Sequence, residues 1–161
     1  MRDSIKRNKF LYVESTRIII RPFGPILALV LGCLPAVAGK PFRGPVEAIV
    51  VRVLDGDTFV ADAAVWPGQT LRVNVRIRGI DAPEMKARCE GERMAAKRAR
   101  EELAALLGGR PVAISNIAGA KYYGRVLADV ANAEGLDVGP AMMERRLVRA
   151  YAGGRRDGWC G

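Results

Sequence analysis

Basic and acidic side chains lie close together in one stretch near the middle of the chain, VRIRGIDAPE, residues 75–84. Arg76 is followed within eight residues by both Asp81 and Glu84. Carboxylates bind hard cations and accept protons from water, and a guanidinium pairs with phosphate oxygens through two parallel hydrogen bonds. The stretch therefore contains the groups needed to attack a phosphate ester. Each group also has a plainer interpretation, as a turn aspartate, a surface glutamate or part of a solvated strand face.

A further aspartate, Asp57, follows a hairpin turn in the motif DGDT, residues 55–58. In an antiparallel meander the ends of neighbouring strands lie side by side, so Asp57 and Asp81 can converge. Pro83 keeps Ala82 extended or turned, which fixes the Ala82 carbonyl and makes it a candidate third oxygen donor. A plain strand terminator is the alternative interpretation of Pro83. Oxygen donors without thiolate or imidazole suit Ca²⁺ or Mg²⁺.

The chain contains no histidine, which excludes histidine general bases, histidine-bound metals and Ser-His-Asp triads. A carboxylate such as Glu84 is then the natural group to activate a water molecule. The motif KYYGR, residues 121–125, adds Arg125 and a tyrosine pair beside Lys121, which together can stack a base and hold its phosphate. Packing is the plainer interpretation of an aromatic pair next to a turn.

Residue patterns on either side of these motifs predict a small barrel. We expect strands over 46–54, 57–65, 70–78, 111–118 and 125–132, a helix over 90–107 and a short C-terminal helix over 138–146. The third strand alternates apolar residues with a polar face that carries Arg72, Arg76 and Arg78. Five short strands with a helix between the third and the fourth predict an α+β, mainly β protein with a five-stranded OB-fold barrel. Other α+β arrangements remain open.

The formal net charge of +9 favours an anionic partner such as nucleic acid, a membrane surface or another polyphosphate. Part of this charge lies in a basic N-terminal stretch, followed by an apolar run and Ala36-Val37-Ala38. This order is typical of a secretory signal cleaved after Ala38. An uncleaved membrane anchor and lipid modification of Cys33 are the alternatives. We therefore predict an exported protein, periplasmic or secreted, with a signal peptide over 1–38, a linker over 39–45 and one domain over 46–161.

Two cysteines, Cys89 and Cys160, follow the predicted cleavage site. In an exported chain an even pair of cysteines more often forms a disulfide than a metal site. The bond would join the start of the long helix to the last residues of the chain. On the chain-entropy model, closing a loop of about 70 residues stabilises the fold by roughly 4 kcal/mol. Two unpaired thiols are the alternative.

In order and spacing, DGDT, VRIRGIDAPE and KYYGR resemble the motifs of the staphylococcal nuclease (thermonuclease-like) family over residues 46–152. The resemblance implies Ca²⁺-dependent cleavage of DNA and RNA, in which water attacks phosphorus and the 5′ oxygen leaves. It implies these roles: Ca²⁺ ligands Asp57, Asp81 and the Ala82 carbonyl; general base Glu84; phosphate-binding Arg76 and Arg125; phosphate contact Tyr123; and nucleotide stacking by Tyr151.

The chain departs from the family pattern at three positions: 82, 121 and 153. Ala82 stands where threonine is expected, which a carbonyl ligand tolerates, and Lys121 replaces an acid. Gly153 stands where a second tyrosine is expected, which should weaken base stacking. We expect a monomer with DNA or RNA as partner, no obligate protein partner, and membrane contact only if the N-terminal segment is retained or lipidated. The alternatives are a non-catalytic OB-fold nucleic-acid-binding protein of the cell envelope, and a tethered or structural envelope protein.

Overall fold

The computed structural model describes residues 40–120, 122 and 124–160. The predicted signal peptide with Cys33, the first linker residue Gly39, and two predicted substrate-binding residues, Lys121 and Tyr123, lie outside the described residues. No helix in the described ranges has the length and apolarity that a membrane span requires.

Seven strands and two helices form the secondary structure of the described residues. They are β1 (Val46–Asp55), β2 (Thr58–Trp66), β3 (Gln69–Ile77), β4 (Ile80–Asp81), α1 (Glu90–Leu107), β5 (Val112–Gly119), β6 (Arg125–Ala131), α2 (Val138–Glu144) and β7 (Arg149–Ala150). The five long strands and α1 lie where the residue patterns predicted them, to within one residue at each end. The two short strands were not predicted, because two residues are too few to show any alternation.

Five strands close into a barrel in the order β1-β2-β3-β6-β5. All neighbouring pairs are antiparallel except β3 and β6, which are parallel. The chain between these two strands, which includes α1 and β5, is long enough for the crossover that a parallel pair needs. Closure leaves the barrel without an unpaired edge. The predicted α+β, mainly β class with an OB-fold-like five-stranded barrel is therefore confirmed.

The core of the protein lies inside the barrel and under α1. Alternate strand residues point inward and are fully buried, among them Phe59, Val75 and Ile114. Helix α1 buries Leu103 and Leu107 against this core and ends at Gly108, whose φ of +62° stops the helix. The barrel thus supplies a rigid support for the loops at its rim.

The turn between β1 and β2 runs close to α1. A Cβ placed on Gly56 would lie 2.6 Å from the Cβ of Ala99 and 3.0 Å from the Cβ of Ala82. Only glycine allows this approach without movement of the backbone or the helix. The contact holds Asp57, the next residue in the turn, against the corner that follows β4.

Three sets of contacts fasten the C-terminal segment, residues 151–160, to the rest of the chain. A disulfide joins Cys160 to Cys89, the residue before α1, which confirms the predicted pairing. In addition, the Arg149 guanidinium stacks on the Trp159 ring at 3.8 Å and donates a hydrogen bond to the Gly158 carbonyl at 3.0 Å. The pairing of β7 with β4 completes the attachment.

The close approach at Gly56 yields a stability prediction. Gly56→Ala should lower the free energy of unfolding by about 1–3 kcal/mol, because the added methyl overpacks the contact with Ala99. Urea unfolding followed by circular dichroism measures the change. Gly91→Ala is the matched control: Gly91 lies in α1 with open space around it, and the same substitution there should stabilise by about 0.4–1 kcal/mol. Equal effects at the two glycines would contradict the overpacking explanation.

Candidate active site

An open cleft of about 620 Å³ lies between the barrel, the corner after β4 and the C-terminal segment. Four residues singled out in the sequence line it together: Arg76, Glu84, Arg125 and Tyr151. Two residues that the motifs did not single out, Asp55 and Arg156, also line it. Residues more than seventy positions apart in the chain therefore share one cleft.

The parallel pairing of β3 with β6 brings the two predicted phosphate-binding arginines to the same face. In this register Arg125 lies opposite Asn74, and Leu127 lies opposite Arg76. Because alternate residues of a strand share a face, Arg125 and Leu127 point to the same side as Arg76. Two hydrogen bonds close the turn before β6: the Ala120 N–H donates to the Arg125 carbonyl, and the Arg125 N–H donates to the Tyr122 carbonyl.

Arg76 is buried between two carboxylates. Its NH1 donates to Asp57 Oδ1 at 2.7 Å, and its NH2 donates to Asp81 Oδ1 at 3.4 Å and to the Ile80 carbonyl at 3.3 Å. The side chains of Arg76, Asp57 and Asp81 are only 10%, 3% and 7% exposed. The solvated-face interpretation is therefore wrong for Arg76 and holds for Arg72, which forms an exposed ion pair with Asp62.

Asp57 accepts hydrogen bonds on both of its oxygens. Besides Arg76, the Thr58 hydroxyl donates to Oδ1 at 2.7 Å and the Ala82 N–H donates to Oδ2 at 3.0 Å. A buried carboxylate needs several donors to offset the loss of its hydration, and Asp57 has three. Ala82 thus touches the cluster through its N–H, and the role of its carbonyl as a metal ligand stays a prediction.

Asp55 is a further carboxyl group at the rim of this cleft. The Asp57 N–H donates to Asp55 Oδ1 at 3.2 Å, which forms a tight turn at the end of the hairpin. Burial, followed by the negative charge of Asp57, raises the pKa of Asp55 to about 6. Asp55 therefore keeps its proton until the pH is close to neutral. Its position at the start of DGDT was the available sequence signal.

Glu84 differs from the buried acids because its side chain is 58% exposed. Its backbone N–H donates to Glu92 Oε1 at 3.1 Å, which holds the corner against the first turn of α1. Its carboxylate forms an ion pair with Arg156 NH1, and Arg156 Nε also lies 2.9 Å from Asp81 Oδ1. Burial by itself lowers the pKa of Arg156, but the neighbouring carboxylates, Asp81 first, outweigh it and raise that pKa, so the guanidinium stays charged.

Arg125 has an unsatisfied donor in the cleft. Its Nε is buried and, in the described part of the chain, has no hydrogen-bond partner. Its guanidinium lies over the Tyr122 ring, 4.6 Å from the centroid. Buried donors are almost always satisfied in proteins, so this nitrogen is an exception within the described part of the chain.

Tyr151 forms one wall of the cleft at the start of the C-terminal segment. Its N–H donates to the Gly79 carbonyl at 2.8 Å, and its hydroxyl donates to the Gly154 carbonyl at 2.8 Å. Gly153, where a second tyrosine was expected, has a φ of +102°, a conformation that disfavours any side chain. The segment therefore lines the cleft with one aromatic ring, that of Tyr151, and its backbone at position 153 favours glycine.

Two groups of side chains in the described part of the chain contain possible metal ligands. Among the described residues, one group of three possible ligand residues lies within 4.8 Å: Cys89, Glu92 and Cys160. Both sulfurs belong to the disulfide and Glu92 only touches it, so this group is not a metal site.

Asp57 and Asp81 converge on one guanidinium and offer oxygen donors only, which fits a hard cation such as Ca²⁺. Two carboxylates leave most of the six to eight ligand positions of Ca²⁺ to other oxygens, as in weakly binding sites.

Comparison with models of protein families gives no match, and comparison with curated proteins gives none either. The nuclease resemblance therefore remains an inference from three motifs. The geometry of the cleft is independent of that inference.

The buried acid pair yields a prediction with a matched control on the same strand. Arg76→Met should lower the free energy of unfolding by about 3–5 kcal/mol, because it leaves two buried carboxylates without their cation. Arg72→Met removes only an exposed ion pair and should leave the unfolding midpoint nearly unchanged. Urea unfolding of both variants at pH 7 checks this, and equal losses would show that Arg76 is not the essential counter-ion.

Proposed function

We propose that the protein is an exported, Ca²⁺-dependent nuclease of the thermonuclease-like type that hydrolyses phosphodiester bonds of DNA and RNA. The observation that carries this proposal is a cleft in which two guanidiniums, Arg76 and Arg125, share a wall with one exposed carboxylate, Glu84. Binding of an anion needs only the cations, whereas hydrolysis also needs a base that water can reach, and Glu84 is an exposed carboxylate at this position.

Phosphate binding is the task of the two arginines. The buried Nε of Arg125 has no partner among the described residues, and a phosphate oxygen would supply one. Arg76 lies on β3 two residues after Asn74, the residue opposite Arg125, and Asp57 and Asp81 hold it rigidly. When water attacks phosphorus, negative charge grows on the equatorial oxygens, and guanidiniums already fixed in place stabilise it without reorganisation.

Glu84 supplies the general base. It is exposed to the cleft, so a water molecule can reach it, and the chain has no histidine to compete for the role. In the proposed step, water oxygen bonds to phosphorus while its proton passes to Glu84. The bond from phosphorus to the 5′ oxygen breaks, and solvent supplies the proton that this leaving oxygen takes up.

Ca²⁺ held by Asp57, Asp81 and the Ala82 carbonyl would add positive charge beside the phosphate. Among these residues the acid pair is fixed by Arg76 and by the backbone of the corner, so its oxygens are arranged before any cation arrives. The chemistry of the donors favours Ca²⁺ or Mg²⁺ over transition metals.

The shape of the cleft supports a nucleic acid substrate. The cleft is open rather than enclosed, so a chain can lie across it, and the rings of Tyr151 and Tyr122 line it for stacking on bases. Lys121 and Tyr123 complete the proposed substrate contacts. The disulfide suits an oxidising compartment, as export requires.

Digestion of single-stranded DNA by the purified protein tests the proposal. We expect cleavage with Ca²⁺, none with chelator, and recovery when Ca²⁺ is restored. Glu84→Gln should lower kcat by about 10²-fold or more, and Arg125→Ala by about 10²-fold or more, because each removes a group that acts in the transition state. Loss of less than about tenfold in either variant would refute its assigned role.

Two substitutions outside the cleft serve as controls for that assay. Glu101→Gln on the exposed face of α1 and Arg110→Ala in an exposed ion pair should each leave cleavage within about twofold of wild type. The non-catalytic alternative makes a different prediction: DNA binding that weakens steeply with salt, ignores Ca²⁺ and produces no cleavage.

A further inference from the structure

The C-terminal segment places an additional arginine, Arg156, directly on the proposed general base. We propose that Arg156 positions the Glu84 carboxylate for catalysis and that the Cys89–Cys160 disulfide holds Arg156 in place. This inference rests on the nuclease function proposed above and concerns a residue outside all three motifs.

Glu84 cannot hold its own orientation. Its side chain is 58% exposed, and an exposed glutamate samples several rotamers whose ordering costs roughly 1–2 kcal/mol. Its backbone is fixed by Glu92, but that bond leaves the side-chain torsions free. In the described part of the chain the side-chain partner of the Glu84 carboxylate is Arg156 NH1. The direction of the carboxylate therefore depends on where Arg156 lies.

Arg156 itself is fixed on the side away from Glu84. Its Nε pairs with Asp81 Oδ1 at 2.9 Å, and the Asp81 side chain is only 7% exposed and also bonded to Arg76. The guanidinium thus connects an exposed, mobile carboxylate to a buried, rigid one. Because a guanidinium is planar with donors in a fixed fork, it can set the separation and direction of the two acids, which a lysine ammonium cannot do as well.

The segment that carries Arg156 has little secondary structure of its own and depends on its attachments. Cys160 ties its end to Cys89 at the start of α1, five residues after Glu84. The Trp159 Nε1 lies 3.5 Å from Asp81 Oδ2, so the same buried acid receives the segment at a second point. Cutting the disulfide should therefore release Arg156, and with it the orientation of Glu84.

The neighbouring Arg155 provides a matched control. It belongs to the same segment and is exposed. It does not line the cleft, and it forms no ion pair that the structure describes. A general loss of positive charge from the segment would affect Arg155→Gln and Arg156→Gln alike, whereas positioning of Glu84 involves Arg156 alone.

A double-mutant cycle on kcat tests the proposal. Steady-state cleavage of a single-stranded DNA oligonucleotide at saturating Ca²⁺ is measured for wild type, Arg156→Gln, Glu84→Gln and the double variant. We expect Arg156→Gln to lower kcat by about 10–100-fold with little change in KM, since a positioning residue changes the transition state more than substrate binding. In the Glu84→Gln background the same substitution should change kcat by less than about twofold, because the group that it positions is gone.

A conservative substitution of Arg156, the Arg155 control and removal of the disulfide complete the test. Arg156→Lys should recover part of kcat, since it keeps one charge contact but not the fork. Arg155→Gln should match wild type within about twofold. Replacement of both Cys89 and Cys160 by serine should lower kcat as Arg156→Gln does, with no further loss when the two changes are combined. Thermal unfolding of every variant checks folding, and the Arg156 variants decide the matter if the serine variant does not fold.

The possible failures are distinct. Two results would show that Arg156 binds substrate directly: Arg156→Gln lowers kcat equally in the wild-type and Glu84→Gln backgrounds, or it raises KM at constant kcat. Either result would overturn the positioning role and leave the proposed nuclease activity intact. A folded wild-type protein that does not cleave DNA or RNA with Ca²⁺ would overturn the proposed function, and this inference with it.

Discussion

The ion-paired cluster of Arg76 with Asp57 and Asp81 holds together the parts of the chain that form the cleft. Asp57 belongs to the first hairpin turn, Arg76 to the end of β3 and Asp81 to β4, and one guanidinium bonds both acids. Charges buried to this degree stabilise a fold poorly, because loss of hydration consumes most of the attraction between them. A hydrophobic trio would serve the barrel at least as well. The cluster is better explained as a set of charged groups fixed in advance for an anionic ligand and a cation, which supports the proposed catalytic use.

Around this rigid cluster the site becomes progressively more exposed. Arg125 lies on β6 and has a buried nitrogen without a partner among the described residues, Tyr151 begins the C-terminal segment, and Glu84 reaches into solvent. The exposed members are the ones that chemistry requires to meet water and substrate. Their order depends on attachments outside the barrel, chiefly the disulfide and the Arg149–Trp159 stack, so the fold of the barrel and the geometry of the cleft are stabilised by different interactions. Residues 39–161, which follow the predicted cleavage site, hold 20 Lys and Arg against 15 Asp and Glu, and this net charge of +5 would attract a polyanion.

An OB-fold-like barrel by itself is compatible with many functions, and function has to be inferred from the site. Here three arginines and an exposed carboxylate line one open cleft, and a buried acid pair holds one of those arginines; this combination supports the proposed hydrolysis. Gly153 shows how sequence and backbone agree on a departure from the family pattern: its φ of +102° is a backbone conformation that a tyrosine rarely adopts. Base stacking then depends more heavily on Tyr151 and on the turn that contains Tyr122.

Strand alternation, the Asp-Gly turn and the four-residue spacing in α1 are local signals, and they were enough to predict the five long strands, the helix and the closed barrel. The motifs selected Arg76, Glu84 and Arg125, and the nuclease resemblance added Tyr151; these four residues line one cleft. Motif spacing could not show that Arg76 is buried, because a strand's polar face looks the same whether it meets solvent or two acids. Strands β4 and β7 and the ion pairs of Arg156 were also missed, since a two-residue strand has no period and an Arg-Arg pair in a glycine-rich segment has no pattern. These features arise from contacts between residues about seventy positions apart, and only the folded chain brings such residues together.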